Sequence, residues 1–224
     1  MPPKTKTVYI CSECGHESAK WLGKCPSCGA WNTMEEDVVT VGKIASVVSG
    51  ISKNTFAKPL SQISLTDEER FVTGIGELDR VLGGGIVKGS VVLLSGDPGI
   101  GKSTILLQIC NALQENLNVL YVSGEESAMQ IKMRAERLGV YSDNVSIMTE
   151  TDVISVCEYI KSAKPDLVMI DSIQTMSISE ISSSPGSIVQ TRECTNLLLK
   201  TGKTLNIPIF IVGHVRSEEH TSEL

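Results

Sequence analysis

VVLLSGDPGIGKST, residues 91–104, is the stretch of sequence that decides the fold. An apolar run leads into a glycine-rich turn of the form Gly-x-x-x-x-Gly-Lys-Ser, and a helical pattern follows. Glycines let the backbone bend tightly and approach oxygen atoms closely, while the free N–H groups of a helix N-terminus bind phosphate. The stretch therefore predicts a strand, a phosphate-binding loop and a helix that together bind ATP.

The residues expected to bind the nucleotide follow one another along this loop. Lys102 is expected to reach the β- and γ-phosphates, and the Ser103 hydroxyl is expected to ligate Mg²⁺. The alternative is a chance glycine-rich turn, which the adjoining strand and helix disfavour. The predicted nucleotide-binding residues of the loop are Gly96, Asp97, Pro98, Gly99, Ile100, Gly101, Lys102, Ser103 and Thr104.

A second apolar run, Leu167–Ile170, ends in an acid, Asp171. An apolar strand that ends in a carboxylate is the usual form of the Walker B element. We therefore expect Asp171 to hold Mg²⁺ through water and to complete the predicted nucleotide site. The alternative is an aspartate at the end of a strand that caps the next turn.

Three more polar residues are candidates, beside Lys102, for a catalytic role. Glu125 and Glu126 follow the apolar run Val119–Val122. We favour Glu125 as the carboxylate that orients the attacking water and keep Glu126 as the alternative. Both glutamates also fit a helix start, where the helix dipole favours negative charge. His214 follows the last apolar run and is expected to sense the γ-phosphate and relay its presence to a neighbouring loop; the alternative is a polar surface residue at a strand end.

From Phe71 onward, short apolar runs alternate with helix-length amphipathic segments. Strands that are continuously apolar and separated by helices imply a mainly parallel sheet with helices on both faces, an α/β fold. The glycines at 83–85 precede a strand, so we interpret them as a turn and not as a second phosphate loop. The predicted strands are Val91–Leu94, Val119–Val122, Val145–Met148, Leu167–Ile170 and Ile209–Val212. The predicted helices are Ser103–Leu117, Ser127–Leu138, Asp152–Ala163 and Ser187–Lys203.

Four cysteines near the N-terminus form two Cys-x-x-Cys pairs, Cys11 with Cys14 and Cys25 with Cys28, separated by ten residues. Each pair is typical of a tight knuckle, and two knuckles complete a tetrahedral thiolate site for Zn²⁺. The competing interpretation is two redox-active pairs. A segment this short cannot bury enough core alone, so metal binding is expected to supply its folding energy.

Lysines and tryptophans lie among these cysteines: Lys20, Trp21, Lys24 and Trp31. One interpretation is a contact surface for nucleic acid or for a partner. The simpler interpretation, which we favour at this stage, is that the tryptophans pack the ribbon.

Composition sets the broad class. The 224 residues are 41% hydrophobic and 21% charged, which is ordinary for a globular protein with one sizeable core and a small appendage. The sequence shows no apolar run that could span a bilayer and no secretory signal, so we expect no membrane contact and a cytoplasmic location. The net charge of −6 gives no support for nucleic-acid binding, although it does not exclude a local basic patch.

Cys110, Cys157 and Cys194 lie among apolar residues and are predicted to pack the core in a reducing compartment.

Taken together, these motifs resemble those of the bacterial RadA family, also called Sms. The resemblance extends over about residues 5–215. It is carried by Cys11-x-x-Cys14-Gly15, Trp21–Cys28, the segment Thr73–Gly85, the segment Tyr121–Ser127 and the segment Ser183–Glu193.

The resemblance implies a zinc ribbon at 1–33, a linker at 34–70 and a RecA-like P-loop ATPase core at 71–215. It implies a DNA-dependent ATPase of recombinational repair that binds single-stranded DNA, processes branched intermediates, forms hexameric rings and works beside the RecA recombinase. The segment Ile181–Arg192 matches a loop that faces the DNA channel in this family. We therefore expect Gln190 and Arg192 near DNA, with a surface residue at a helix start as the alternative for Arg192.

The match ends at Val215. Residues 216–224 do not continue the family pattern and resemble a translated sequencing adapter, so we expect an artefact in a shortened reading frame. The last strands of the core, a Lys-Asn-Arg-Phe-Gly motif thought to supply a cation to a neighbour's ATP, and a Lon-protease-like domain would then be missing. On that basis we expect this chain to bind ATP but to hydrolyse it poorly, and its ring assembly is in doubt.

Two other functions remain open at this point. A nucleotide-dependent switch of the KaiC-like type shares the RecA-like core and the paired glutamates, although the zinc ribbon argues against it. A zinc-ribbon binding module with an inactive ATPase fits the shortened chain taken literally.

Overall fold

The computed structural model describes residues 4–13, 15–41, 70–113 and 117–214. Within these ranges the chain forms a small antiparallel sheet at the N-terminus and a larger parallel sheet covered by helices. Cys14, most of the predicted linker and the tail at 216–224 lie outside the described residues.

The N-terminal sheet has three antiparallel strands, β1 (Lys4–Cys11), β2 (Glu17–Ser18) and β3 (Met34–Val41), in the order β2-β1-β3. β1 pairs with β3 along its whole length, and its end pairs with β2. The sequence predicts only a short strand near Val38–Val41, within a linker. The strand instead begins at Met34, because β1 provides a partner for all eight of its residues, and the ribbon's sheet therefore continues past residue 33.

A five-stranded parallel sheet forms the centre of the core, in the order β6-β10-β9-β7-β8. A small antiparallel sheet of two short strands, β4 and β5, precedes it in the chain. All five predicted strands of the main sheet are present, and each one extends a single residue beyond its predicted end. The strands are β4 (Arg70–Phe71), β5 (Ile86–Val87), β6 (Val91–Ser95), β7 (Val119–Ser123), β8 (Val145–Thr149), β9 (Leu167–Asp171) and β10 (Ile209–Gly213).

Five helices connect these strands: α1 (Gly76–Val81), α2 (Lys102–Ala112), α3 (Ala128–Arg137), α4 (Val153–Ala163) and α5 (Ile188–Leu205). A short 3₁₀ helix follows β9 at Ile173–Thr175. The sequence did not predict α1. None of the helices in the described ranges is long and apolar enough to cross a bilayer.

The helix termini follow local capping chemistry. Ser127, predicted as an N-cap, forms a reciprocal capping box with Gln130 at the start of α3. Asp152 and Ser187 cap α4 and α5 in the same general way, each accepting a backbone N–H with its side-chain oxygen. The predicted extension of α2 to Leu117 is wrong, because Leu113 has extended backbone angles that end the helix.

The two faces of the sheet bury separate apolar clusters because successive residues of a strand point to opposite faces. On one face, α4 and α5 cover Val168, Ile170 and their neighbours, and Cys157 and Cys194 are buried there. On the other face, α2 and α3 cover Met169, Phe210 and the residues beside them. This arrangement confirms the prediction of a parallel sheet with helices on both sides.

The three cysteines of the core are packing residues, as predicted. Cys110, Cys157 and Cys194 are all at least 97% buried, with exposed fractions of 3%, 2% and 0%. Burial raises the pKa of the Cys110 thiol and of the Cys194 thiol to about 12. These thiols therefore stay protonated and unreactive near neutral pH.

The glycine triplet at 83–85 forms the predicted turn into β5. Gly85 has a φ of 128°, and a side chain there would place its Cβ 2.6 Å from the carbonyl oxygen of Phe71 on the paired strand. Only glycine fits a position that combines this backbone angle with so close a contact.

Candidate nucleotide site and zinc ribbon

The candidate nucleotide site lies at the carboxyl-terminal edge of the parallel sheet. Four adjacent strands, β6, β10, β9 and β7, end there side by side. β6 leads into the phosphate loop (residues 96–103), and β10 leads into His214. β9 ends at Asp171, which Ser172 follows, and β7 leads toward Glu125. Ligands of open α/β sheets bind at this edge because the connecting loops and helix N-termini converge there.

The phosphate loop has a backbone that its glycines make possible. Gly99 has a φ of 80° and Gly101 a φ of 96°, both in the left-handed region that other residues rarely adopt. Gly101 is the N-cap of α2, so Lys102, Ser103 and Thr104 form its first turn. The remaining loop residues, Asp97, Pro98 and Ile100, are exposed to solvent. A helix N-terminus thus opens directly onto the loop.

The Lys102 side chain is buried and folded back into the loop. Only 7% of the residue is exposed. Its Nζ donates to the carbonyl oxygens of Gly96 at 2.8 Å and Asp97 at 2.7 Å, and lies 3.1 Å from Nδ1 of His214. An ammonium has only donors, so Nδ1 of His214 is the acceptor in this contact and its proton lies on Nε2. The loop therefore holds one positive charge at its centre.

Asp171, at the end of β9, is held by a tyrosine that the sequence analysis missed. The hydroxyl of Tyr121 donates to Oδ2 of Asp171 at 2.5 Å. Burial, followed by the neighbouring Asp171 charge, raises the pKa of Tyr121, which keeps the phenol protonated as a donor. The hydrogen bond fixes one carboxylate oxygen of Asp171 and orients the other.

The structure separates the two glutamates that the sequence left as alternatives. Oε1 of Glu125 accepts a hydrogen bond from the Ser172 hydroxyl at 2.7 Å, which ties Glu125 to the end of β9 beside Asp171. Glu126 instead forms an ion pair with Arg134 of α3, and its backbone N–H donates to Ser123 at 3.1 Å. Glu125 thus lies in the row of site residues, whereas the Glu126 carboxylate is engaged by a helix.

A chain of contacts leads from Lys102 to the loop that follows the 3₁₀ helix. His214, which contacts Lys102, accepts a 3.5 Å hydrogen bond on its carbonyl oxygen from Nε2 of Gln174. The backbone oxygen of Gln174 lies 3.3 Å from where a Cβ on Gly186 would stand. His214 and Gln174 therefore lie between the phosphate loop and the loop around Gly186.

Gln190, which the sequence analysis expects near DNA, is a buried residue, and its proximity to DNA stays a prediction. It is 2% exposed. Its Oε1 accepts from the backbone N–H of Ile178 at 2.9 Å, and its Nε2 lies within 3.2 Å of three carbonyl oxygens between Ile178 and Ser183. The side-chain amide uses its donors and its acceptor in hydrogen bonds to the backbone of this irregular loop. Gln190 is therefore a structural residue of the loop.

Several residues of the site carry no sequence signal that would have singled them out. Ser172, Gln174 and Tyr121 contact predicted site residues that lie 40 to 50 positions away in sequence. Arg134 contacts Glu126 from eight positions away. Ser172 follows the Walker B aspartate directly, and that position is the one clue available.

In the ribbon, the geometry of the cysteines fits a zinc ion. The sulfur atoms of Cys11, Cys25 and Cys28 all lie within 4.8 Å of one another, and those of Cys11 and Cys28 are 3.6 Å apart. Zn–S bonds of about 2.3 Å in a tetrahedron place sulfur atoms about 3.8 Å apart. Cys14, the fourth predicted ligand, lies outside the described residues.

The backbone of each knuckle has the turn that a zinc ribbon requires. The N–H of Gly15 donates to the carbonyl of Cys11 at 2.8 Å, and the N–H of Gly29 donates to that of Cys25 at 2.9 Å. Both glycines have positive φ, 71° and 77°. The two knuckles repeat one geometry, with glycine at the same position in each.

The first knuckle contacts the start of α5 in the core. A Cβ on Gly15 would stand 3.2 Å from Ile188, and Glu17 forms a 3.1 Å ion pair with Arg192. The hydrogen bond that the Arg192 guanidinium donates to the Glu17 carboxylate is the main cause of the raised pKa of Arg192. Arg192 is therefore a helix-start residue on the surface with a partner in the ribbon.

The two tryptophans lie outside the buried cluster of the ribbon, so the interpretation that they form its packing core is wrong. The buried cluster consists of Cys11, Cys25 and Met34, with Tyr9 and Leu22 packed against it. Trp21 and Trp31 are both more than half exposed.

Comparison with known proteins agrees with this division of the chain. The family model described as "Rubredoxin metal binding domain" matches residues 9–36, and the model described as "KaiC" matches residues 71–150. Among the curated relatives are proteins called DNA repair protein RadA. That of Bacillus subtilis (strain 168) is 49% identical over 219 residues, which is 96% of this chain and 48% of the relative. That of Escherichia coli (strain K12) is 42% identical over 224 residues, 97% of this chain and 49% of the relative.

The chain spans about half the length of the curated relatives it matches. The matched half contains the zinc ribbon, the phosphate loop and the strand-end carboxylates described above. Over the residues it spans, the chain belongs to the RadA family, with a zinc ribbon that precedes a RecA-like α/β core.

Proposed function

We propose that this chain is the ribbon and nucleotide-binding part of a DNA-dependent ATPase that acts in recombinational DNA repair. The observation that carries the proposal is the phosphate loop with its buried Lys102, at the same sheet edge as Asp171 and Glu125. The names of the relatives, DNA repair protein RadA, support the biological setting.

Different residues of the site bind the phosphates, hold Mg²⁺ and activate the attacking water. Lys102 exchanges its bonds to the loop carbonyls for phosphate oxygens, to which the N–H groups at the start of α2 also donate. Ser103 and Asp171 are the residues that would hold Mg²⁺, which when bound neutralises charge on the phosphate oxygens. Glu125, held by Ser172, accepts a proton from water and orients it for attack.

His214 has the contacts expected of a nucleotide sensor. Its Nδ1 accepts from Lys102 and its carbonyl accepts from Gln174. When Lys102 turns toward a phosphate it releases Nδ1, which frees His214 to move relative to Gln174 and the loop near Gly186. This route supports a coupling between nucleotide state and DNA contact.

The DNA-related part of the proposal concerns a protein of the relatives' length. We propose that it binds single-stranded DNA, processes branched recombination intermediates, assembles as a homo-hexamer and works with the RecA recombinase in the cytoplasm. Arg192 is the cation proposed to contact DNA, and to do so it would exchange its ion pairs with Glu17 and Glu193 for phosphate oxygens.

Nucleotide binding tests the site directly. Lys102→Ala is expected to weaken binding of a fluorescent ATP analogue about 10- to 100-fold, since a charged donor to phosphate is lost. Lys132→Ala is the matched control, because Lys132 is an exposed lysine of α3 that pairs with Glu136 at 3.6 Å. Equal affinities for both variants and the unmodified chain would rule out the phosphate-loop role.

Turnover separates the two glutamates. In a protein of the relatives' length, Glu125→Gln is expected to retain ATP binding and to lose about 10²- to 10⁴-fold in rate, the usual contribution of a general base. Glu126→Gln is expected to retain most of the rate, since the Glu126 carboxylate pairs with Arg134. A larger loss for Glu126→Gln than for Glu125→Gln would reverse the assignment.

A nucleotide-dependent switch of the KaiC-like type is a second candidate, because the KaiC model matches the first part of the core. The two functions differ in their response to DNA. A repair ATPase is expected to hydrolyse ATP faster when single-stranded DNA is added, whereas a switch is not. Turnover that DNA leaves unchanged, in a protein of the relatives' length, would favour the switch.

A further inference from the structure

The ribbon carries two tryptophans that its own fold leaves exposed. Trp21 is 54% exposed and Trp31 is 69% exposed, although large aromatic side chains usually bury most of their surface. The ribbon has only a small buried cluster, so packing of a large core does not explain why it contains two tryptophans. Exposed indoles of this kind mark a contact surface.

Local contacts hold both rings in place. Trp31 and Lys24 are partners in an antiparallel bridge, and Nζ of Lys24 lies 5.5 Å from the centroid of the Trp31 ring. Nε1 of Trp21 donates to the carbonyl oxygen of Met34 at 3.1 Å. Because the rings are already restrained, they lose little conformational freedom when a ligand stacks on them.

The charges around the rings favour a polyanion. Residues 20–33 include Lys20 and Lys24 and contain no acidic residue. The acidic residues Glu13, Glu35 and Glu36 instead line the cleft that faces the core. Exposed aromatic faces beside lysines match single-stranded DNA, whose unpaired bases stack on aromatic rings while cations attract its phosphates.

We propose that Trp21, Lys24 and Trp31 form a stacking platform for unpaired bases of single-stranded DNA, with Lys20 and Lys24 beside the phosphates. The inference rests on the proposed function, because it takes DNA as the polymer on which the protein acts. It adds to that function a second contact for the strand, in the ribbon and apart from the loop near Arg192.

The chain offers its own reporter for this platform. It contains two tryptophans, and both belong to the platform. Titrating the zinc-loaded, full 224-residue chain with an oligothymidylate of about 15 nucleotides, a length in the range one such module covers, should quench the tryptophan fluorescence. The quenching should follow the fluorescence anisotropy of a labelled copy of the same oligonucleotide.

Variants separate stacking from a purely structural role. Trp31→Ala is expected to weaken binding about 5- to 100-fold, the range that one base–aromatic stack contributes. Trp31→Phe keeps a ring and is expected to restore part of the affinity. Tyr141→Ala, which removes a 73% exposed aromatic residue of the core, is the matched control and should bind like the unmodified chain. Zinc content and circular dichroism show whether each variant is folded.

The possible outcomes distinguish this proposal from the one on which it rests. DNA binding that leaves the fluorescence unquenched, or that Trp31→Ala leaves unchanged in a folded variant, overturns the platform but leaves DNA binding intact. Quenching by a protein partner and not by the oligonucleotide likewise overturns it in favour of a protein contact. If neither this chain nor a protein of the relatives' length binds the oligonucleotide, the proposed function fails as well.

Discussion

The ribbon buries a cluster of three residues, Cys11, Cys25 and Met34, whereas the core buries a layer of apolar side chains on each face of its sheet. Two of the three residues of this cluster, Cys11 and Cys25, are predicted metal ligands. A cluster so small cannot offset the conformational entropy lost on folding, but metal–thiolate bonds can. The core gains its stability from apolar burial instead. The two regions should therefore respond to different perturbations.

Loss of the metal is the largest expected effect. Structural zinc contributes about 10–16 kcal/mol of apparent binding free energy in zinc-finger peptides, so a chelator or Cys25→Ser should unfold the ribbon and leave the core folded. Hydrogen exchange should show fast exchange in β1 and β3 only. Cys110→Ala, in the core, should keep about one zinc per chain. A ribbon that remains protected without metal would contradict this account.

Cavity formation in the core is the reverse perturbation. Leu198 of α5 is fully buried, and Leu198→Ala should lower the free energy of unfolding of the core by about 2–5 kcal/mol. Leu93→Ala removes a side chain that is 64% exposed and should change it by less than about 0.5 kcal/mol. Urea unfolding gives both values, and a zinc content that falls with Leu198→Ala would show that the two regions are not independent.

The amide of Gln190 tests the part of the core nearest the ribbon. Gln190→Ala leaves several buried backbone groups of the loop without a partner, at an expected loss of about 1–3 kcal/mol. The loss should be accompanied by faster hydrogen exchange at residues 178–183. Gln108→Ala, on the exposed side of α2, is the control. An unaltered loop in Gln190→Ala would mean that the amide is dispensable.

The ion pair between ribbon and core carries the smallest expected effect. Glu17 and Arg192 have 55% and 45% of their side chains exposed, and exposed pairs contribute about 0–1 kcal/mol. A double-mutant cycle of Glu17→Gln and Arg192→Gln should give a coupling energy in that range, lower at high salt. A coupling above about 2 kcal/mol would indicate that the two regions fold as one unit.

The sequence alone predicts most of the core, because its signals are local. Apolar runs mark the five strands, and the glycine pattern at 96–101 marks the phosphate loop within a few residues. The third ribbon strand, Met34–Val41, escapes prediction because its partner lies near the N-terminus and its own residues are largely acidic and β-branched. Strand pairing between segments that are distant in the chain produces little recognisable pattern in the sequence of either segment.

Roles that depend on long-range contacts are equally hidden. The adjacent glutamates Glu125 and Glu126 are indistinguishable in sequence, and it is their contacts to Ser172 and Arg134 that separate them. From the sequence alone, Gln190 resembles an exposed polar residue at a helix start. In the structure the loop covers it and its amide bonds to the loop backbone. The packing role assigned to the tryptophans fails because the ribbon's buried cluster is formed by Cys11, Cys25 and Met34, with Tyr9 and Leu22 against it.

The strand that leads into the phosphate loop pairs, within the described residues, only with β10. In a parallel strand the amides point alternately to the two sides, so every second N–H of Val91–Ser95 points away from β10, to a side where the described residues place no strand. Deuterium uptake is therefore expected to alternate between fast and slow along Val91–Ser95, the strand that leads into the phosphate loop. A strand that pairs with this edge would protect the remaining amides and remove the alternation. The exchange pattern of Val91–Ser95 therefore reports whether the edge is covered.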